Sequence, residues 1–212
     1  MAPTTVKLKT MVCSLILVLA TEVLGWGFLR AAFKPMVVLA LIRLVQIGGI
    51  IGLVIFFEGG LQTIGWAPET WTTGLLKGAR WSLGFALVAA LAMGAIYLAG
   101  RNPILLLRSP MPRRAPDLAR LLLVGGFVGP LAEELFFRGL LYTYFRRWGF
   151  LFALVASTAI FVPLHALNGL PVVQIVGSLV FAIAYEISRN LMVPITIHIL
   201  GNLALFGLSL AC

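Results

Sequence analysis

Residues 36–57 read MVVLALIRLVQIGGIIGLVIFF, a stretch that is almost continuously apolar. Its length matches the roughly 20 apolar residues that a helix needs to cross the hydrocarbon core of a bilayer. The apolar residues do not alternate with polar ones, as they do in the strands of an outer-membrane barrel. The stretch therefore predicts a membrane-spanning helix.

The composition of the whole chain points the same way. Of its 212 residues, 61% are hydrophobic and 11% are charged, and the mean hydropathy is +1.06. A typical soluble domain carries about a quarter charged residues, and a chain this short cannot hide so much apolar surface from water. Intrinsic disorder requires low hydrophobicity. A soluble enzyme and a disordered chain are both excluded.

The net charge of +9 would indicate nucleic acid as a partner if the protein were soluble. Most of the Lys and Arg residues, however, flank the apolar runs, where they meet lipid headgroups. The expected partner of this charge is therefore the lipid bilayer, and nucleic acid is not expected.

Six further apolar runs predict six further spans: 11–29, 79–99, 118–147, 150–165, 172–187 and 191–210. The first run resembles a signal peptide, but it contains Glu22 and lacks a small-residue cleavage site, so we expect it to be retained. The predicted fold is all-α, a polytopic membrane helical bundle of about seven transmembrane helices, with six to eight as the range. The positive-inside rule leaves the orientation open, because seven spans place seven Lys and Arg residues on each side.

The clearest boundary in the chain is the stretch from Arg101 to Arg120, which is rich in arginine and proline. Asp117 is the expected N-cap of the fourth helix, and Gly129-Pro130 is its expected kink. Small residues allow helices to approach closely in a membrane. The glycines expected to do so around the fourth helix are Gly125, Gly126, Gly129 and Gly201.

Ionisable residues inside spans are functional candidates, and the densest group is Glu133-Glu134-Leu-Phe-Phe-Arg138. Arg138 lies about 40° round the helix from Glu134, so these two side chains can pair, whereas Glu133 lies about 140° away. One carboxylate is then structural and the other is free to act as a base. The alternative is an ion network of all three that locks the helix without chemistry.

The two histidines of the chain stand in Phe161-x-x-x-His165 and His198-x-x-x-Asn202. Each spacing puts two side chains on one face of a helix, and Pro163 interrupts the backbone hydrogen bonding just before His165. A lone histidine in a span commonly bonds a neighbouring helix. Two His, two Glu, an Arg and an Asn in three helices favour a functional site instead.

Several protease classes are excluded by what the sequence lacks. The GxSG pattern of a serine protease and the HExxH zinc motif are absent, and Asp117 is the only aspartate, so an aspartyl pair is impossible. Neither cysteine has a neighbouring histidine in sequence, although a distant partner stays open. The remaining protease mechanism is attack by a water molecule that a carboxylate activates.

The chain contains three motifs in this order: EExxxR at Glu133 to Arg138, FxxxH at Phe161 to His165, and HxxxN at His198 to Asn202. With them, the chain resembles the CPBP family, which comprises CAAX-processing enzymes of the Ras-converting type, bacteriocin-processing proteins and Abi proteins. The resemblance covers about residues 118–206. The first three spans match only in general pattern.

The resemblance implies an intramembrane endopeptidase of the glutamate type, a hydrolase acting on peptide bonds. It implies that Glu133 and His165 position and deprotonate the attacking water, and that His198 and Asn202 stabilise the oxyanion. The supporting residues it implies are Glu134, Arg138 and Phe161. Residues 1–117 then hold the N-terminal spans and the connection, and residues 118–212 form the CPBP catalytic core of one integral membrane unit. We expect the site in a polar cavity between helices four, five and seven.

No cofactor is expected, although zinc is an alternative with Glu133, His165 and His198 as its ligands. The resemblance implies a membrane-embedded protein or peptide as substrate, and a leader or C-terminal tail in a bacterial inner (plasma) membrane is expected. Two other functions stay open. One is a non-catalytic membrane scaffold or immunity factor, and the other is a small transporter with Glu133 and His165 as a proton relay.

Overall fold

The computed structural model describes residues 5–107, 110–165 and 171–211, apart from the side chains of residues 105 and 106. Arg108, in the predicted boundary, and Cys212 lie outside the described residues. The described ranges contain helices and no strand. Seven main helices follow one another within these ranges: α1 (Leu8–Leu29), α2 (Pro35–Glu58), α3 (Trp71–Leu98), α4 (residues 115–145), α5 (Phe150–His165), α6 (Val172–Ser188) and α7 (Met192–Ala211).

This arrangement confirms the predicted all-α membrane bundle. In the described part of the chain, four helical stretches are long and apolar enough to cross a membrane, namely α1, α2, residues 61–98 and α7. The apolar helices α5 and α6 are shorter. The chain is an integral membrane protein. Its helices pair their backbone N–H and C=O groups internally, which the water-free core of a bilayer requires.

The start of α3 differs most from the prediction, because the helix begins at Trp71 rather than at residue 79. A short 3-10 turn, Pro68–Thr70, leads directly into it. The extra turns contain Gly74 and Gly78, which are poor helix formers but are buried against α7. Packing of these glycines against α7 therefore extends the helix beyond the apolar run from which the span was predicted.

The predicted N-cap of α4 is wrong. The helix begins at Ala115 with Pro116 in its first turn, where the fixed φ of proline favours helix initiation. Asp117 lies inside that turn, 3.3 Å from Nζ of Lys34 and 2.5 Å from Nη1 of Arg120. The hydrogen bond from Lys34 holds the pKa of the Asp117 carboxyl below its usual range. These contacts tie the α1–α2 connection to the start of α4.

Two π-helical segments interrupt α4, Val124–Val128 and Leu135–Tyr142. The ordinary α-helical segment Gly129–Glu134 lies between them and carries both glutamates of the first motif. The break expected at Gly129-Pro130 thus takes the form of a π-helical turn. Such bulges rotate the following residues round the helix axis and occur often at functional sites.

The closest helix contacts only partly match the predicted glycines. An added Cβ would lie 3.2 Å from the ring of Phe206 at Gly125 and 2.9 Å from Leu203 at Gly126, which confirms a close approach of α4 and α7 there. The prediction is wrong for Gly201, where an added Cβ would have no atom within 4 Å.

It is also wrong for Gly129, because the closest atom to an added Cβ is the carbonyl oxygen of Val124 in its own helix, at 3.0 Å. The tight contact that the sequence did not indicate is between α3 and α7. An added Cβ at Gly78 would lie 2.9 Å from the backbone oxygen of Val193.

Hydrogen bonds attach the connection between α2 and α3 to the junction of α6 and α7, and three of them involve Tyr185, Asn190 and Leu191. The Tyr185 hydroxyl donates to the Ile64 carbonyl over 2.9 Å, and the Leu191 amide donates to the Gly65 carbonyl over 2.8 Å. Nδ2 of Asn190 donates to the Thr70 carbonyl over 2.9 Å. These bonds fix the point at which α7, which carries the third motif, enters the bundle.

Candidate active site

Glu133 on α4 is the centre of the site. Its Oε2 lies 3.3 Å from Nε2 of His165 on α5 and 3.7 Å from Nε2 of His198 on α7. The carboxylate retains 18% of its exposure, so a small molecule such as water can reach it. The structure thus brings three sequence-predicted residues together between the three helices that were expected to hold them.

The hydrogen bonds of the two imidazoles define which nitrogen carries a proton. Nδ1 of His165 lies 2.9 Å from the carbonyl oxygen of Phe161, which can only accept, so Nδ1 is the donor. Nδ1 of His198 lies 2.8 Å from Oε1 of Glu134, and a carboxylate likewise accepts. In the neutral rings, both Nε2 atoms therefore present lone pairs toward Glu133.

Each imidazole is held by a phenylalanine ring. His165 stacks on Phe161, with ring centroids 4.2 Å apart, and His198 stacks on Phe181 at 4.6 Å. The guanidinium of Arg138 lies 5.0 Å and 5.3 Å from the same two phenylalanine rings. The two phenylalanine rings thus restrict rotation of both imidazoles. Each ring also makes a cation–π contact with the Arg138 guanidinium.

Glu134 and Arg138 form the predicted pair and are completely buried. Nη1 of Arg138 donates to Oε1 of Glu134 over 3.0 Å, and its Nη2 donates to the carbonyl and the hydroxyl oxygens of Ser178 on α6. The Glu134 oxygen that accepts from Arg138 also accepts from His198. Both donors thus meet at Oε1 of Glu134, whereas its buried Oε2 has no hydrogen-bond partner among the described residues.

Asn202 is placed differently from the other motif residues. Its Nδ2 donates to the carbonyl oxygen of Gly125 on α4, over 2.8 Å. One hydrogen of the amide is thereby engaged with the backbone, and the second hydrogen is the one available to a substrate. The structure brings Asn202 to α4 one helical turn beyond His198.

Two residues of α6, Ser178 and Phe181, belong to the site although no motif in the sequence indicates them. Ser178 accepts from Arg138, and its hydroxyl also lies 3.1 Å from the Thr158 hydroxyl on α5. Phe181, one turn later, stacks on His198. The available signal was the spacing of Ser178 and Phe181 by three residues, which puts both side chains on one face of the helix.

The arrangement suits activation of a water molecule by a carboxylate that two imidazoles flank. Two imidazole nitrogens and one carboxylate are also the donor types of many catalytic zinc sites. Within residues 5–107, 110–165 and 171–211, no group of three or more His, Cys, Asp or Glu side chains surrounds a position that could hold a metal ion.

The comparison with known families agrees with the three motifs. Residues 115–204, which run from the start of α4 into α7, match the family model described as type II CAAX prenyl endopeptidase Rce1-like. The match confirms the resemblance to the CPBP family and supports a peptidase of the CAAX type that acts in the membrane. No curated protein and no solved structure matches the chain.

Proposed function

We propose that this Rce1-like chain is an intramembrane endopeptidase in which Glu133 and His165 activate a water molecule. The observation that carries the proposal is the approach of Oε2 of Glu133 to Nε2 of His165, at 3.3 Å, on the exposed side of the cluster. A water molecule seated beside both atoms would have two proton acceptors within reach, which is the geometry that general-base catalysis needs.

The reaction then proceeds by addition and elimination. As the water oxygen bonds to the carbonyl carbon of the scissile peptide, its proton passes to the Glu133–His165 pair. The tetrahedral intermediate collapses when the carbon–nitrogen bond breaks, and the same pair returns the proton to the departing amine. General-base help of this kind supplies about 10²–10⁴ in rate.

The oxyanion of the intermediate requires hydrogen-bond donors. The second amide hydrogen of Asn202 is one candidate, and His198 is the other. Nδ1 of His198 already donates to Glu134, so Nε2 is the nitrogen that would donate to the oxyanion when it carries a proton. Each donor aimed at the oxyanion in a site shielded from water contributes about 10²–10³ in kcat.

The family match supports a membrane-embedded protein or peptide as substrate. We propose that the enzyme removes a leader or a C-terminal tail of a bacterial substrate at the inner membrane, and that it needs no metal. The partial exposure of Glu133 and His165 favours a short substrate segment, because such a segment could reach these side chains from the edge of the bundle.

The test is a cleavage assay with purified enzyme reconstituted in vesicles. The probes are single-span peptides that carry either an N-terminal leader or a C-terminal extension, and mass spectrometry identifies the products. Wild-type enzyme should release a defined fragment, and Glu133→Gln should release none. The matched control is Glu186→Gln, which removes an equally half-buried carboxylate on α6 that bonds Arg146 and Arg189 away from the cluster.

If Glu133→Gln cleaves as fast as the wild type, the proposal is wrong. If neither protein cleaves any probe although both are folded, a proton-flux assay in the same vesicles tests the transporter alternative. A flux that depends on Glu133 and His165 would support the proton relay in place of the protease.

A further inference from the structure

In the first π-helical segment of α4, Val124–Val128, the residue expected to donate a backbone hydrogen bond to one carbonyl is a proline. In this turn, the amide of Gly129 donates to the carbonyl of Val124, five residues earlier. The next donor in the same register would be the amide of residue 130, which would reach the carbonyl of Gly125. Residue 130 is proline and has no N–H.

The Gly125 carbonyl nevertheless has a donor, because Nδ2 of Asn202 lies 2.8 Å from it. An unpaired carbonyl is costly where there is no water to bond it. The side-chain amide on α7 thus replaces the backbone amide that Pro130 cannot supply.

This replacement requires α7 to lie close to α4, and the local sequence permits it. Gly126 faces Leu203 so closely that an added Cβ would approach it to 2.9 Å. One turn away, His198 of α7 donates to Glu134 of α4 over 2.8 Å. Two hydrogen bonds therefore join α7 to α4, one at Gly125, before the segment Gly129–Glu134, and one at Glu134, the last residue of that segment.

We infer that Asn202 is a positioning residue: its amide substitutes for the missing N–H of Pro130 and holds the Glu133-bearing segment of α4 in register with His198. The structural part of this role does not depend on any activity. Its consequence for catalysis rests on the proposed function.

A double-mutant cycle between Asn202 and Pro130 tests the role directly. Pro130→Ala restores an N–H, so the Gly125 carbonyl gains a backbone partner whether the turn stays π-helical or relaxes to an α-helix. We expect Asn202→Leu to lower the melting temperature in detergent, and we expect a clearly smaller loss when Pro130→Ala is present. The cycle is repeated in Glu133→Ala protein, which removes any influence of activity.

The matched control for Asn202→Leu is Thr196→Val. Thr196 also lies on α7, but its hydroxyl donates to the Met192 carbonyl within the same helix. The stability that Thr196→Val loses should be the same in the wild-type and the Pro130→Ala backgrounds. Equal losses for Asn202→Leu in the two backgrounds would overturn the inference.

Cleavage by the same variants separates positioning from direct oxyanion donation. If Asn202 acts on catalysis through α4, the double variant Pro130→Ala, Asn202→Leu should have a kcat at least about ten-fold higher than that of Asn202→Leu. This gain is a part of the roughly 10²–10³ in rate that one aimed donor contributes. A double variant as slow as Asn202→Leu would overturn the catalytic consequence. If stability shows the coupling and no variant cleaves, the positioning role stands and the proposed function fails.

Discussion

Oε1 of Glu134 accepts a hydrogen bond from Nδ1 of His198 over 2.8 Å, deep between α4 and α7. The two adjacent carboxylates, Glu133 and Glu134, therefore have different roles. Glu134 is completely buried, orients an imidazole and is balanced by Arg138, whereas Glu133 remains partly exposed beside two Nε2 atoms. A carboxylate that fixes the tautomer and the orientation of a histidine is a recurring device in hydrolase sites.

Removal of any member of the Glu133 cluster should abolish cleavage. Glu133→Ala and His165→Ala each remove a group that would accept the proton of the attacking water, and we expect losses of about 10²–10⁴ in kcat. His198→Ala removes a candidate oxyanion donor, and we expect a loss of about 10²–10³. Cleavage of the reconstituted peptide probe measures this. Membrane insertion and the melting temperature of each variant serve as controls, and cleavage near the wild-type rate by Glu133→Ala would remove Glu133 from the role of base.

The Glu134–Arg138 pair should behave as a structural unit. Arg138→Ala leaves the buried carboxylate without its cation, which costs about 3–5 kcal/mol, so stability in detergent and activity should fall together. Glu134→Gln combined with Arg138→Met removes both charges and should recover part of the stability. The measurement is thermal unfolding in detergent. An Arg138→Ala protein that keeps full stability but loses activity would place Arg138 in the catalytic group instead.

Zinc content separates the two interpretations of the Glu133 cluster. Water activation by Glu133 and His165 alone predicts well under one equivalent of tightly bound zinc in the purified protein, by elemental analysis. It also predicts that cleavage survives prolonged treatment with a membrane-permeant chelator. Activity that is lost on chelation and restored specifically by Zn²⁺ would make Glu133, His165 and His198 metal ligands.

The contact between α3 and α7 should tolerate no side chain at Gly78. Gly78→Ala places a Cβ 2.9 Å from a backbone oxygen that cannot move aside, and overpacking of this kind costs about 1–3 kcal/mol. Gly84→Ala is the matched control on the same helix, because an added Cβ there meets no atom within 4 Å. The melting temperature of Gly78→Ala should be clearly lower than that of Gly84→Ala. Equal stability would show that the two helices can separate at Gly78 without loss.

Local sequence was sufficient to locate most of the helices and the ion pair on α4. The boundaries of α5 were predicted correctly, because an apolar run that follows Gly149 and ends at His165 needs only local information. The Glu134–Arg138 pair was also predictable, since i,i+4 neighbours meet on a helix whatever surrounds them.

The groups that meet across helices could be identified only from the packed bundle. The partner of Asn202 depends on a π-helical turn that rotates α4, and the contacts of Gly78, Ser178 and Phe181 depend on how α3 and α6 pack. Spacing in sequence reports which side chains share a face of one helix. The rotation and depth of each helix against its neighbours are set by the packing of all seven, so no local pattern could reveal them.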